Sequence, residues 1–330
     1  MGNQPFNVIV ILFWLATMSW LVVAKILPPL RVGEPPNYAS ILEHSHDEPP
    51  ASWTIEMQGR TIGWAANKIV RGTDGISQFY SRVYLDGLPL EELAPGWLAS
   101  VLKPVFSEIR EMDVDKRSRF AVDPLGRLSE FESRVRLADV TDAIRVQGKI
   151  DGSTLHLTVT SGEISARLTR SLSPNALMGD ELSPQARMPG LRVGQTWTVP
   201  LYSPFRAATS PLEILQATVE REDRFHWDGQ TVNTRMIVYR GDPGSGLAGD
   251  EPRGRMWVRD DGVVLRQEVS VFKSLVQFER LPAGRAEAIW KALGDDWSQA
   301  IPAELARRLL ERLRGGAPSG EGEAAAPDVP

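Results

Sequence analysis

The first pattern along the chain is a run almost without polarity. Residues 6–24 read FNVIVILFWLATMSWLVVA, uncharged, with only Asn7, Thr17 and Ser19 polar. At 1.5 Å per residue such a helix spans about 28 Å, close to a hydrocarbon core of ~30 Å, and a helix satisfies its own backbone groups there. Lys25 and then Pro28-Pro29 end the run. The pattern predicts a transmembrane signal anchor over residues 1–27 and membrane attachment through residues 6–24. A cleaved signal peptide stays open as an alternative, because Val22-Val23-Ala24 offers small residues before a cut, although Met1-Gly2-Asn3-Gln4-Pro5 lacks a basic n-region. A buried core helix is the third reading. Lys25 and Arg31 count toward the cytoplasmic side, but long domains cross membranes largely regardless of charge. The expectation is a single-pass inner-membrane protein with its body on the periplasmic side.

Residues 28–51 follow as a linker, kept extended by Pro28, Pro29, Pro35, Pro36, Pro49 and Pro50. From Trp53 the period becomes 2, with Trp53, Ile55 and Met57 on one face. Short β runs then alternate with turn signals: Gly59-Arg60, Gly72-Thr73-Asp74-Gly75, Asp86-Gly87, Asp123-Pro124-Leu125-Gly126 and Asp151-Gly152-Ser153. One helical stretch, residues 90–102, interrupts them. Residues 173–190, with Pro174, Pro184 and Pro189, read as a loop. A second β block covers residues 191–281, its clearest pieces at 196–202, 212–227, 231–240, 255–259 and 263–272, with Asp261-Gly262 closing the last hairpin. Residues 120–128 faintly echo residues 257–265, each a strand, an acidic-Gly turn and a strand. Two amphipathic helices follow at 285–293 and 302–314, and residues 315–330 carry no apolar stripe and read as a disordered tail.

These elements predict a mainly β fold: a curved antiparallel sheet, half-barrel or sandwich, with an N-terminal transmembrane helix and two C-terminal helices. The β-rich body is placed at residues 52–281, with possible halves at 52–172 and 190–281, and the helical region at 282–314. With 42% hydrophobic and 24% charged residues, the 330-residue chain can bury a sizeable core. A net charge of −5 argues against a nucleic-acid partner, which needs a basic surface. The absence of cysteine removes disulfides, thiolate metal sites and thiol nucleophiles.

No motif carries a reaction or a cofactor. Gly244-Ser245-Gly246-Leu247-Ala248-Gly249 has the spacing of a phosphate loop, but Pro243 precedes it and a strand follows, so it reads as a surface loop. His44-Ser45-His46-Asp47-Glu48 groups metal-ligand types within the Pro-flanked linker, where nothing fixes them, and no metal site is expected. His156 alternates with Leu155 and Leu157 and points off the core, and His226 sits near a turn. Asp113/Asp115 and Asp260/Asp261 read as strand-face and turn acids. No catalytic residue is assigned. The candidate site rests on aromatics, since Trp53, Trp64, Trp97, Trp197, Trp227 and Trp257 all fall in the β body. Core packing is the plain explanation. The sharper one is an apolar groove lined by Trp53, Trp64, Trp97, Trp197 and Trp257.

The text Gly59-Arg60-Thr61-Ile62-Gly63-Trp64 before a hairpin, and the run from Trp257 to Glu268, resemble bacterial exported β proteins of the periplasmic lipoprotein-carrier, half-barrel type. Over residues 53–281 that resemblance implies a strongly curved antiparallel sheet, often around an apolar cavity. It carries over no functional residues. The anchor and terminal helices depart from a freely diffusing carrier. The expected function is a membrane-anchored, non-enzymatic binder of an apolar, lipid-like ligand or an envelope partner protein. The alternatives are an envelope-polymer hydrolase or accessory domain, and a structural subunit of a membrane complex with residues 302–314 as the candidate docking surface, although packing against the β body is the plainer role for that helix.

Overall fold

The computed structural model describes residues 4–23, 34–45, 48–89, 111–138, 140–173, 176–203, 212–241, 251–271, 274–297 and 299–315. Helices α1 (Gln4–Leu21) and α2 (Tyr38–His44) precede the sheet. Strands β1 (Ala51–Met57), β2 (Arg60–Arg71), β3 (Ser77–Pro89), β4 (Glu111–Val122) and β5 (Leu128–Leu137) come next, then β6 (Val140–Asp151), β7 (Thr154–Ser161) and β8 (Ile164–Ser171). The short β9 (Gly179–Asp180) leads into β10 (Thr196–Tyr202), β11 (Leu212–Trp227) and β12 (Gln230–Gly241). The sheet ends with β13 (Gly254–Arg259), β14 (Val264–Val271) and β15 (Ser274–Arg280). Helices α3 (Ala283–Leu293) and α4 (Ala303–Arg314) close the described chain.

All strands join one sheet of 15, in the order β8-β7-β6-β5-β4-β3-β2-β1-β15-β14-β13-β12-β11-β10-β9. Neighbours are antiparallel except β9 with β10. The two β blocks of the sequence therefore share a single sheet, joined where β1 pairs with both β2 and β15. Bulges interrupt the register in β1–β2 at Ile55/Glu56, in β3–β4 at Leu85/Leu88, in β11–β12 at Val219/Arg221 and in β13–β14 at Trp257/Val258. Each adds local twist, which curls the sheet without closing it. At the first bulge Gly63 is obligatory, because a Cβ there would lie 2.1 Å from the Tyr84 carbonyl oxygen.

Both faces are buried at the centre. The concave face carries Trp53, Ile55, Val83, Val114, Phe131, Ile144, Ile237 and Phe278 in the main core. The segment 176–191 runs through this core and contributes Leu177, Met178, Leu182, Met188 and Leu191. The convex face carries Trp64, Ala66 and Tyr84, covered by Ile289 and Leu293 of α3 and Ala306, Leu309 and Leu310 of α4. Trp64 Nε1 donates to the Ala306 carbonyl at 3.0 Å and fixes α4. The apolar stripe of α4 is thus buried against the sheet, the plainer of the two roles its pattern allowed, and does not stand free as a docking surface. Beside the helices the convex face turns charged. Arg82 and Asp115 form an ion pair of 3.1 Å there, both nearly inaccessible, with Arg136 at 3.4 Å from the same carboxylate oxygen.

Several expectations change. Residues 28–51 are not wholly an extended linker. Asn37 accepts from Ser40 N at 2.9 Å, and Ser40 Oγ accepts from Asn37 N at 3.1 Å. This reciprocal cap starts α2, which buries Tyr38 and Ile41. Asp86-Gly87 is a bulge inside β3 rather than a turn. Residues 173–190 are largely irregular, as read, but residues 177–184 are buried, and Asp180, Ser183 and Gln185 are hydrogen-bonded. Among the described residues no helix is long and apolar enough to cross a membrane. The transmembrane span expected over residues 6–24 is therefore unsupported as drawn, since the helix ends at Leu21 and Ala24 to Gly33 lie outside the described residues. What α1 does present is exposed apolar side chains, with Ile9, Leu12, Phe13 and Trp20 each at least 60% accessible. The expected helix at residues 90–102, the glycine loop from Gly244 to Gly249, His46, Asp47 and the C-terminal tail from Gly316 on also lie outside the described residues.

Candidate functional site

Segment 176–191 lies along the concave face like a strap, and its bonds set the geometry of the interior. Lys116 on β4 is fully buried and pairs with Asp180 of the strap. It also donates to Ser183 Oγ at 2.8 Å. Ser81 Oγ of β3 donates to Ser183 Oγ at 2.9 Å, and Ser183 Oγ donates to Asp180 Oδ2 at 3.1 Å. Ser118 Oγ, 3.0 Å from Ser133 Oγ, reaches the same carboxylate oxygen at 3.1 Å. Asp180 Oδ1 accepts from Leu182 N at 3.2 Å. Further along, Asn67 Nδ2 donates to the Pro184 carbonyl, and Gln185 N donates to Gln267 Oε1 at 3.1 Å. Arg280 donates to the Ala186 carbonyl at 2.9 Å, and Met188 N donates to the Gly262 carbonyl at 2.7 Å.

The Lys116–Asp180–Ser183 group resembles a serine–lysine pair only in its membership. A serine hydroxyl has one donor and two acceptor positions. Ser183 uses its donor on Asp180 and both acceptor positions on Lys116 and Ser81. Burial lowers the Lys116 ammonium pKa, and the Asp180 and Glu181 carboxylates oppose that shift. The group therefore pins the strap. Burial pushes the neighbouring Tyr202 phenol well above its ordinary value, Asp180 and Glu181 add to this, and Ser133 opposes it.

On either side of the strap lies a cavity. The first, about 80 Å³, lies under α2 and is walled by Tyr38, Ile41, Ile69, Phe79, Phe120 and Met178. The second, about 50 Å³, is walled by Leu177, Met188, Val199, Leu215, Tyr239 and Met256. Asp180, Ser183 and Gln185 line both. Helix α2 roofs the first cavity through the Tyr38 hydroxyl, which donates to the Met178 carbonyl at 3.3 Å, and through Arg71, which donates to the Leu42 carbonyl. Burial raises the Tyr38 phenol pKa above its ordinary value, with the Met178 bond opposing, so it stays a donor. Gly126 lies under α2 with φ +74°, and a Cβ there would be 2.5 Å from Ala39 Cβ. Asn67 Oδ1, in the first cavity, is buried with no hydrogen-bond partner. Arg280, Arg187 and Glu48 line one end of that cavity.

The tryptophans expected to share a groove are not brought together. Trp53 and Trp197 belong to the main core of the concave face, and Trp64 belongs to the second core beneath α3 and α4. Trp257 is half-buried on the convex face, 6.3 Å from Phe225, with Arg266 5.5 Å above its ring and its Nε1 donating to Asp223 at 3.2 Å. Trp227 donates to the Arg280 carbonyl at 2.7 Å. Trp97 lies outside the described residues. Strand pairing explains the split. The ladder Trp257↔Arg266↔Glu279↔Thr54↔Trp64 crosses five strands on one face, opposite to that of Trp53. His156 and His226 are exposed, as is His44, whose ring lies 2.8 Å from the Ser40 carbonyl.

No protein-family model matches the chain, and no curated protein matches it. Among solved structures it is similar to a beta-barrel-like protein of domain of unknown function DUF1849 from Brucella abortus. The identity is 10%, the TM-score is 0.41, and the match covers 70% of this chain and 95% of that one. It is also similar to a DUF1089 family protein from Pseudomonas aeruginosa, at 14% identity and a TM-score of 0.32, covering 61% of this chain and 87% of that one.

Proposed function

We propose that the protein is a membrane-tethered binding protein of the periplasmic side that holds an apolar, lipid-like ligand inside its curled sheet, without acting on it chemically. The observation that carries this reading is the pair of apolar cavities flanking the strap. Ligand sites are concave, mostly apolar and largely preformed, with few polar groups. The saturated Lys116–Asp180–Ser183 group favours binding over catalysis, because its donors and acceptors are already engaged. The α1 helix supports the tether. Its exposed Ile9, Leu12, Phe13 and Trp20 would leave water at roughly 25 cal/mol per Å² on burial in lipid.

The test is to purify the full chain in phosphatidylcholine nanodiscs, extract it with organic solvent and analyse the extract by mass spectrometry beside empty discs. One amphiphile per protein, enriched over the discs, is expected. If nothing is enriched and fluorescent fatty-acid probes also fail to bind, the reading is wrong. The orientation is tested separately with a C-terminal reporter that is active only in the cytoplasm, and activity there would refute the periplasmic placement.

An envelope partner protein is the second reading, and one observation favours it. Among the described residues strand β8 ends the sheet and has a neighbour on one side only, which leaves its outer edge for strand addition. Ile164 on it is 47% accessible. Photocrosslinking from Ile164 in intact cells, with no protein adduct formed, would remove that reading.

A further inference from the structure

We infer that Arg280 is the head-group anchor of the first cavity, and that the ligand there is a single-chain amphiphile with an anionic head, a carboxylate or a phosphate monoester. This deepens the ligand-binding reading above and rests on it. Strand β15 places Val276, Phe278 and Arg280 in alternation on the concave face, so an arginine stands where the pattern asks for an apolar residue. Its guanidinium lies 5.5 Å from the Trp53 ring. One nitrogen, Nη1, donates to the carbonyls of Ala186 at 2.9 Å and Val264 at 3.4 Å. A guanidinium has five N–H groups, and its Nε–Nη2 edge is the fork that fits a carboxylate or phosphate. Among the described residues that edge has no partner.

Glu48 is taken by Arg187 through both oxygens, and Asp261 is taken by Arg259 through both oxygens. Glu48 and Asp261 are the carboxylates that act most strongly on Arg280, and Arg187 and Arg259 already engage both of them. Burial pulls the Arg280 guanidinium down to about 10, Glu48 opposes this, and Arg187 and Arg259 add to it. A buried cation that bonds only neutral carbonyls stays under-compensated until an anion arrives. Ile69, Phe79 and Phe120 line the same cavity and supply the apolar surface for the chain. Asn67, two strands away on β2, offers an unpaired acceptor that repels an anion. That keeps the head at the Arg280 end.

The experiment compares laurate, dodecyl phosphate and dodecanol, equal in chain length, for binding to the full chain in nanodiscs by equilibrium dialysis, with empty discs subtracted. At least one anion is expected to bind tenfold or more tightly than dodecanol. Arg280→Gln is expected to reduce that advantage to less than threefold, with Arg280→Lys between the two. Dodecanol binding as tightly as both anions overturns the inference and leaves the ligand-binding reading standing. Failure of all three to bind removes both. The comparison of ligands on the unsubstituted chain needs no variant, so it decides even if Arg280→Gln does not fold. An anion advantage that survives in a folded Arg280→Gln variant also overturns the inference.

Discussion

Replacing Lys116 by methionine tests whether the strap is pinned by a dry ion pair. The side chains of Lys116 and Asp180 are 0% and 2% accessible, so water cannot take over for either one. Met fills most of the lysine volume, and the loss is mainly electrostatic. Asp180 would keep its bonds from Ser118, Ser183 and Leu182 N but lose its only described cationic partner in contact. Removing one member of a buried pair costs about 3–5 kcal/mol. Against a typical stability of about 5–15 kcal/mol, that is a large share. The double variant Lys116→Met with Asp180→Asn removes both charges. It still mismatches one donor, because an amide has a single carbonyl oxygen for the two acceptor positions of Asp180, at about 1–3 kcal/mol. The double variant should therefore be more stable than Lys116→Met alone, with a coupling energy of about 2 kcal/mol or more. Urea denaturation followed by tryptophan fluorescence measures this, because Trp53 and Trp197 lie in the same core. If Lys116→Met stays within about 1 kcal/mol of the parent, or if the two substitutions simply add, the pair is hydrated and the account of the strap is refuted.

Three further outcomes follow from other positions. Burial raises the Glu279 carboxyl pKa and Glu56 adds to this, while Arg266 and Gln277 oppose it. A carboxyl raised in the folded state costs stability once it ionises, and that cost disappears as pH falls below the unfolded value. Glu279→Gln should therefore raise the urea midpoint at pH ~7.5 and leave it unchanged at pH ~4, whereas a loss at neutral pH would contradict the burial argument. Trp64→Phe removes the indole bond to the Ala306 carbonyl and part of the packing beneath α4, and should cost about 1–3 kcal/mol and expose α4 to limited proteolysis. An unchanged digestion pattern would show that α4 is held otherwise. Gly126→Ala must displace α2, whereas Gly59→Ala, at φ +75° with nothing within 4 Å, carries backbone strain alone. Both should lose about 1–2 kcal/mol from strain, and the excess loss in Gly126→Ala, read by thermal unfolding, reports the packing of α2. Equal losses would mean that α2 is not seated there.

Most strands could be read from the sequence because alternation with turn residues is a local signal. The stretch at 212–227 coincides with β11 and that at 196–202 with β10. The pairing of β1 with β15 could not be read that way, since it joins positions more than 200 residues apart, such as Trp53 and Arg280. The choice of face failed for the tryptophans for a physical reason. Period 2 separates two faces, but here both are covered at the centre, one by the strap and one by α3 and α4, so a buried Trp belongs to either. The strap was hidden by its prolines, which signal irregular backbone and say nothing of burial. Signals for the interior were nonetheless present. Along β4 the alternation that turns Val114 and Phe120 inward also turns Lys116 inward, so a lysine stands at a core position. Arg280 does the same after Val276 and Phe278. The reciprocal cap between Asn37 and Ser40 that starts α2 sits among prolines, which argue for extended chain and mask it.

The distribution of bonds says which part of the interior is fixed and which can yield. The strap is tied to β2, β3, β4, β14 and β15 through Asn67, Ser81, Lys116, Gln267 and Arg280, five positions spread over two separate stretches of chain. Displacing it would orphan all of these buried groups at once. Any group that took the place of the strap would have to replace each bond, so the walls of the cavities beside it are preorganised. The roof is different. Helix α2 has seven residues, far fewer than an isolated helix needs, so it is helical only while it is seated. Its side-chain ties to the body are the Tyr38 and Arg71 bonds, with the contact at Gly126. Opening the first cavity at α2 breaks fewer buried bonds than opening it at the strap, and α2 lies in the chain between α1 and β1. The first cavity is therefore opened at less cost past α2 than past the strap.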